Sequence, residues 1–289
     1  MTWPEVQELL TKSDMVIIPV GALEEHGPQG PIGTDFYNGT EEAELIAQKT
    51  DVLVAPILMP GNSPYHMGFP GTITLSSETL ERVYFEAVQS LLHAGFRRFM
   101  LLNAHGGNAA TTAFIVDRIN QETAGVAVEL GEASQPFEQN YKPSKEDEAA
   151  FQAYSDHVKV FDHHAGVAET SQSLYLIPTL VEMDKAQPTT LNLPPHLQAM
   201  LPAVEAGDKA ANLLFLAEAL KAKDTGKHTS TREMTPTGVW SAADLKFANA
   251  AFGKAQTDWF VDSAVMFIED WKKLRPLSVD GVVGAPAHP

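Results

Sequence analysis

The segment MVIIPVGA, residues 15–22, decides the fold of this chain. Its nearly continuous apolar run is typical of a strand that is covered on both faces of a sheet. Strands that alternate with helices pair in parallel, because each crossover helix returns the chain to the same end of the sheet. The sequence therefore predicts a layered α/β/α fold with a mainly parallel sheet. The other predicted elements in this part of the chain are strands at residues 52–58, 96–103 and 126–130 and helices at residues 35–49, 76–95 and 108–123.

The chain is organised differently after about residue 188. Prolines interrupt the segment NLPPHLQAMLPAV, and two helical patterns follow, over residues 204–223 and 242–273. Trp259 and Trp271 in the second pattern are expected in the core or at a subunit interface.

The composition excludes several classes of function. The net charge of −17 and the scattered basic residues leave no surface that could neutralise a nucleic-acid backbone. The chain has no cysteine, so a bound metal would need His, Asp and Glu as ligands. No apolar run approaches the roughly 18 residues of a membrane span, and the first residues do not resemble a signal peptide. We expect a cytoplasmic protein with no nucleic-acid or membrane partner.

Candidate metal ligands lie where predicted strands end. Glu24 and His26 in GALEEHG follow the first strand, and His105 in NAHGGN follows the third. In an open parallel sheet, ligands bind beyond the carboxyl ends of the strands. Asp35, at the start of the next helix, has two oxygens that can bridge two ions. With Glu169 of HHAGVAET, the set of three carboxylates and two imidazoles suits two divalent cations, with zinc and manganese as the natural candidates and iron as a further one. This chemistry favours a metal-dependent hydrolase.

In order and spacing, GALEEHGPQGPIGTD, PYHMGFPGTITL, NAHGGN and HHAGVAETS resemble the signature segments of the creatininase (creatinine amidohydrolase) family. The resemblance implies a creatininase-type α/β fold, a binuclear metal centre, hydrolysis of a carbon–nitrogen bond of a small cyclic amide, and a homo-oligomer, often a hexamer. It also implies that Asp35 bridges the metals and that His164 transfers the proton. The metal ligands that it implies are Glu24, His26, Asp35, His105 and Glu169. We predict one domain over residues 1–289, with an insertion at about residues 188–232.

Three departures from the family pattern point away from creatinine itself as the substrate. Gly107 stands where creatininase has a glutamate ligand, so Glu169 is expected to complete the second metal site. Gln29 stands where a histidine is usual, which changes a polar group expected near the mouth of the site. The tryptophans that enclose the substrate in creatininase also have no counterpart between Trp3 and Trp240.

Other readings remain open from the sequence. His66 is either a core histidine or a substrate contact, and Gly106, Gly107 and Asn108 either begin a helix or present backbone amides to a substrate carbonyl. The same metal centre could open a cyclic polyol diketone or deformylate a formamide. A non-enzymatic α/β module that binds a small molecule is the alternative from another class.

Overall fold

The computed structural model, which describes residues 1–57, 60–215, 217 and 231–277, contains a sheet of four strands within those ranges. The strands are β1 (Met15–Val20), β2 (Leu53–Val54), β3 (Arg98–Asn103) and β4 (Val126–Glu129). Their spatial order is β2-β1-β3-β4, and every neighbouring pair is parallel. Met15 pairs with Arg98 and Val20 with Asn103, so β1 and β3 end side by side.

Helices cover both faces of this sheet. Because side chains alternate along a strand, Val16 and Ile18 point to one face of β1, and Met15 and Ile17 point to the other. The helices of the described residues are α1 (Trp3–Leu10), α2 (Thr34–Thr50), α3 (Ser77–Ala94), α4 (Ala109–Glu122), α5 (Leu130–Glu138), α6 (Lys145–His157), α7 (Val167–Leu176), α8 (Leu201–Glu205), α9 (Lys209–Leu214), α10 (Thr231–Met234) and α11 (Ala250–Leu274). The first face of the sheet packs against α3 and α4, and the second packs against α2, α5 and α11. The layered α/β/α prediction is therefore confirmed.

Local sequence signals account for the ends of α3. The Ser76 side chain accepts a hydrogen bond from the Thr79 amide, which caps the amino end. Gly95 ends the helix with φ at 119°, a backbone conformation that glycine adopts without steric cost. The predicted helix over residues 76–95 is confirmed to within one residue at each end.

Three predicted elements differ in extent. The second strand was expected over residues 52–58, but pairing is limited to Leu53–Val54, and residues 58–59 lie outside the described residues. The helix expected over residues 204–223 is interrupted at Gly207, whose φ of +76° is incompatible with a continuous helix, and residues 216 and 218–223 are outside the described part. The last helix begins at Ala250, because the Asn249 side chain caps it by accepting from the Phe252 amide.

The segment after residue 188 contributes to a separate apolar cluster. Leu191, Leu193 and Val204 are buried there with Trp240, and Tyr65 packs against the same group. This cluster brings Trp240 to the edge of the sheet where β1 and β3 end. The single domain and the insertion at residues 188–232 stay predictions. No helix in the described ranges is both long enough and apolar enough to cross a bilayer.

Candidate metal centre

The loops that follow β1 and β3 are fastened to each other by Asn108. Its side-chain amide donates to the Gly21 carbonyl at 2.8 Å, and its side-chain oxygen accepts from the Asn62 amide at 2.9 Å. Gly106–Asn108 form a single 3₁₀ turn that leads into α4. The two motifs GALEEHG and NAHGGN therefore meet at one edge of the sheet.

All five predicted metal ligands lie together at this edge. Asp35, which is 3% exposed, contacts one histidine with each oxygen: Oδ1 is 3.1 Å from His26 Nε2, and Oδ2 is 3.0 Å from His105 Nδ1. Glu24, which is 1% exposed, places Oε1 3.3 Å from His105 Nδ1. Glu169 Oε1 is 3.4 Å from His26 Nε2. Asp35 thus occupies the middle of the cluster, as a bridging carboxylate would.

Each histidine of the cluster is held from behind. Because a carbonyl oxygen only accepts, His26 donates Nδ1–H to the Glu24 carbonyl at 3.2 Å, and His105 donates Nε2–H to the Asn62 carbonyl at 3.1 Å. His164 donates Nε2–H to the Glu25 carbonyl at 2.7 Å. The opposite ring nitrogen of each imidazole therefore faces the carboxylates. A hydrogen bond at the outer nitrogen is what orients a metal-binding histidine.

The carboxylates of the cluster favour positive charge at this site. Burial alone would lower the pKa of His26 and of His105, but the neighbouring carboxylates outweigh it and raise both values well above the ordinary one. Burial would likewise raise the pKa of Glu169, yet the charge of His26 dominates and lowers it to about 2. Three carboxylates close together thus attract protons onto the imidazoles. A divalent cation would satisfy the same field.

The donor atoms also fit a metal in spacing. Glu24 Oε2, His26 Nε2 and Asp35 Oδ2 are buried and, despite the short ion-pair contacts above, make no hydrogen bond of good geometry within the described residues, although buried polar atoms are normally satisfied. In three groups, one ligand atom from each member lies within 4.8 Å of the others, a separation that one ion can span. The groups are Glu24–Asp35–His105, His26–His164–Glu169 and Glu24–His66–His164.

Glu25 belongs to this site, although side chains that alternate along an extended backbone would turn it away from Glu24 and His26. The backbone is no longer a strand after Val20, so the alternation of side chains does not extend to residue 25. His66 Nδ1 donates to Glu25 Oε1 at 2.8 Å, and His164 Nε2 lies 3.5 Å from the same oxygen. Burial would raise the pKa of Glu25, but hydrogen bonds from these two histidines lower it to about 2. Glu25 therefore orients both rings as an anion.

A cavity of about 400 Å³ opens beside the cluster. His66 forms part of its wall, and Trp240, which is 2% exposed, stacks on that imidazole with the ring centres 5.2 Å apart. Gly106 and Gly107 also line it, so all three predicted substrate contacts face this space. Trp240 was not identified as a site residue from the sequence.

Gly107 and Gln29 show how this chain departs from the family pattern. A Cβ at position 107 would lie 2.3 Å from both the Asn62 carbonyl oxygen and the Tyr65 hydroxyl, so no side chain fits there without a shift of the loop. Gln29 is buried behind the HHAG turn, where its side-chain amide donates to the Ala165 carbonyl at 3.1 Å. The expectation that Gln29 lies near the mouth is therefore wrong, because this amide supports the turn from behind.

The layered fold and the buried His–carboxylate cluster at the strand ends define the class of α/β hydrolases that work through a metal centre. The profile of the Creatininase family, described as creatinine amidohydrolase, matches residues 1–268. The chain belongs to the creatininase family, and it is a hydrolase.

Curated relatives differ in the reactions that their names describe. A 3-dehydro-scyllo-inosose hydrolase from Thermotoga maritima is 39% identical over 107 residues, which are 37% of this chain and 34% of that protein. A creatinine amidohydrolase from Pseudomonas putida is 31% identical over 64% of this chain and 73% of its own length. A mycofactocin precursor peptide peptidase from Mycolicibacterium smegmatis is 32% identical over 40% of this chain and 49% of its own. The matched region thus spans about a third to three quarters of these relatives.

Solved structures agree with the fold. A structure described as "Creatininase Mn" covers 96% of this chain and 97% of its own, with a TM-score of 0.61 and 22% identity.

Proposed function

We propose that this protein is a metal-dependent amidohydrolase that cleaves the C–N bond of a cyclic amide or a related small amide, and that creatinine is not its preferred substrate. The observation that carries the proposal is the arrangement of the imidazoles. His26, His105 and His164 are each held at the outer nitrogen by a backbone carbonyl and turn the other nitrogen toward the same carboxylates. A ligand-binding module has no need for such a cage.

Five residues would hold two divalent cations, with zinc or manganese as the candidates, and Asp35 would bridge them. The full set is Glu24, His26, Asp35, His105 and Glu169. Such a centre supplies a polarised substrate carbonyl and a water whose pKa is lowered. The similar solved structure described as "Creatininase Mn" supports manganese as one of these candidates.

His164 is the residue that we propose for proton transfer. Its Nδ1 lies 3.5 Å from Glu24 Oε1 and 3.9 Å from Glu169 Oε2, and the same ring lines the cavity beside Trp240. Burial and His26 would lower the pKa of His164, but Glu25 and Glu24 outweigh them and raise it. Nδ1 is therefore placed to carry a proton between the cluster and a leaving nitrogen in the cavity.

The cavity favours a compact ring as substrate. Trp240 and Tyr65 form an aromatic wall, with ring centres 6.1 Å apart, against which a flat group can pack. Gly107, which stands where creatininase has a glutamate ligand, supports a substrate other than creatinine.

A second candidate is the hydrolytic opening of a cyclic polyol ketone on the same centre. It is favoured by the 39% identity to a 3-dehydro-scyllo-inosose hydrolase and by the amide side chains of Asn38 and Gln172 next to the cluster. We also propose that the protein forms a homo-oligomer in the cytoplasm, and Trp259, 37% exposed on α11, offers apolar surface for contacts between subunits.

Elemental analysis and a substrate panel test this function together. We expect the purified protein to bind two divalent ions per chain and, when loaded, to hydrolyse lactams or cyclic ureides faster than creatinine. Asp35→Asn removes the central charge with little change of shape, so it should lower the metal content to one ion or none. Asp117→Asn, an exposed change on α4, is the control. A metal-free protein with no turnover would refute the proposal and favour the binding module.

A further inference from the structure

A second chamber, of about 320 Å³, lies against the same metal-ligand cluster as the Trp240 cavity, and its other lining residues belong to different elements. The two spaces share Asp35, His105 and Glu169 as a common wall. Among the described residues, no phenylalanine, tyrosine or tryptophan lines this second chamber, whereas Tyr65 and Trp240 line the first. A substrate held at the cluster can therefore extend in two directions.

Helical spacing places the polar walls of this chamber. Asn38 and Glu42 follow Asp35 by three and seven residues on α2, so the three side chains lie on one face of that helix. Gln172 follows Glu169 by three residues on α7 and faces the same space. Each wall thus continues directly from a residue of the cluster.

Asn38 presents a hydrogen-bond acceptor that the protein does not use. Its side-chain amide donates to Ser173 Oγ at 2.9 Å, which fixes the orientation of the group. Its Oδ1 is buried and has no hydrogen-bond partner in the part of the chain that the structure describes. Asn38 is only 4% exposed, so a buried acceptor of this kind is expected to have a partner. A bound group with an N–H or O–H would supply it.

Glu42 adds a donor on the same face. Its carboxyl group accepts a hydrogen bond from Gln172 Nε2 at 2.6 Å. Burial raises its pKa to about 8, so the group carries a proton at neutral pH and can donate an O–H. An anionic ligand would also meet the carboxylates of Asp35 and Glu169. The chamber therefore suits an uncharged group that both donates and accepts.

We propose that this chamber is a second substrate subsite, which binds an uncharged hydrogen-bonding arm, a carboxamide or a hydroxyl, while a ring or apolar arm lies against Trp240. The inference rests on the proposed function for the position of the scissile bond between the two arms. It adds that the substrate has two arms of different polarity.

Binding of four benzamides to the metal-loaded protein, measured by calorimetry or ligand-observed NMR, tests the subsite. The compounds share one amide bond and one ring and differ in the second arm: N-benzoylglycinamide carries a carboxamide, N-(2-hydroxyethyl)benzamide a hydroxyl, N-benzoylglycine a carboxylate and N-propylbenzamide an alkyl chain. We expect the carboxamide or the hydroxyl compound to bind about tenfold more tightly than the other two, which is the size of one or two hydrogen bonds. Whichever of the two binds more tightly identifies the arm.

Variants assign this selectivity to the chamber. Asn38→Leu removes the free acceptor and should abolish the preference. Gln172→Met removes the amide opposite and should reduce the preference, so it provides the test if Asn38→Leu does not fold. Gln121→Leu, an exposed amide change on α4, is the matched control. Equal affinity for all four compounds, no binding at all, or selectivity that survives in both variants overturns the subsite. Selective binding without hydrolysis of any of the compounds leaves the subsite standing and counts only against the proposed function.

Discussion

The pH dependence of stability should reveal the buried carboxyl group of Glu42. This side chain is 7% exposed, and burial raises its pKa from 4.5 to about 8, while the hydrogen bond from Gln172 acts in the opposite sense. The folded protein therefore keeps a proton that the unfolded chain releases. Because the folded state binds more protons between those two pH values, the free energy of unfolding falls as pH rises from about 4.5 to about 8.

The size of this loss follows from the pKa difference. A rise from 4.5 to about 8 is about 3.5 pH units, and at about 1.4 kcal/mol per unit it corresponds to an upper value of about 5 kcal/mol above pH 8. Glu42→Gln keeps the shape and can still accept from Gln172, but it has no proton to lose. We expect the variant to match the wild-type protein near pH 5 and to be more stable by several kcal/mol near pH 9.

Urea denaturation of chelator-treated protein at a series of pH values between 5 and 9 measures this difference. The metal is removed first, because metal binding depends on pH and would add its own pH dependence to the measured stability. Glu44→Gln, an exposed change on the same helix, should leave the pH dependence as in the wild type. A stability gain for Glu42→Gln that is the same at every pH would refute the reasoning. It would mean that the chamber is wet enough for Glu42 to ionise normally, and the donor proposed for the subsite would be absent at neutral pH.

Three other substitutions probe the cluster. Gly107→Ala should lower metal content and thermal stability, since its Cβ would press on a carbonyl oxygen, whereas Gly106→Ala, whose Cβ meets nothing within 4 Å, should keep both; equal behaviour of the two variants would contradict the steric argument. Glu25→Ala should lower turnover about 10- to 100-fold in steady-state assays, because His66 and His164 lose the anion that orients them; wild-type rates would rule that role out. His164→Asn should lower kcat about 100-fold or more with metal content retained, and parallel loss of metal would make this residue a ligand.

Much of the fold could be predicted from patterns that act locally. The apolar run of β1 reports burial on both faces, and the serine and glycine at the ends of α3 are chemical signals for its first and last turns. Extents were less predictable. Pairing of β2 is short and the 204–223 helix breaks at Gly207, because neighbours in space and backbone geometry decide both outcomes.

The residues of the candidate site also fall into those whose position the sequence could predict and those whose position it could not. Residues at strand ends, such as Glu24 and His105, could be placed together because parallel strands share one carboxyl edge. Glu25 could not, since its direction depends on a loop without periodic geometry. Trp240 reaches the cavity only through the apolar cluster built after residue 188, which the sequence pattern does not connect to the sheet. The positions of Asn38 and Glu42 could have been predicted, because their helical spacing from Asp35 is visible in the sequence.

The two chambers draw their distinctive walls from different parts of the chain. Tyr65, His66 and Trp240 belong to loops around the sheet edge, whereas Asn38, Glu42 and Gln172 project from two helices. Substitutions can therefore accumulate in one wall without disturbing the other. An ancestor with this layout could exchange either half of its substrate independently, which is a physical route by which one scaffold diversifies into enzymes with dissimilar substrates.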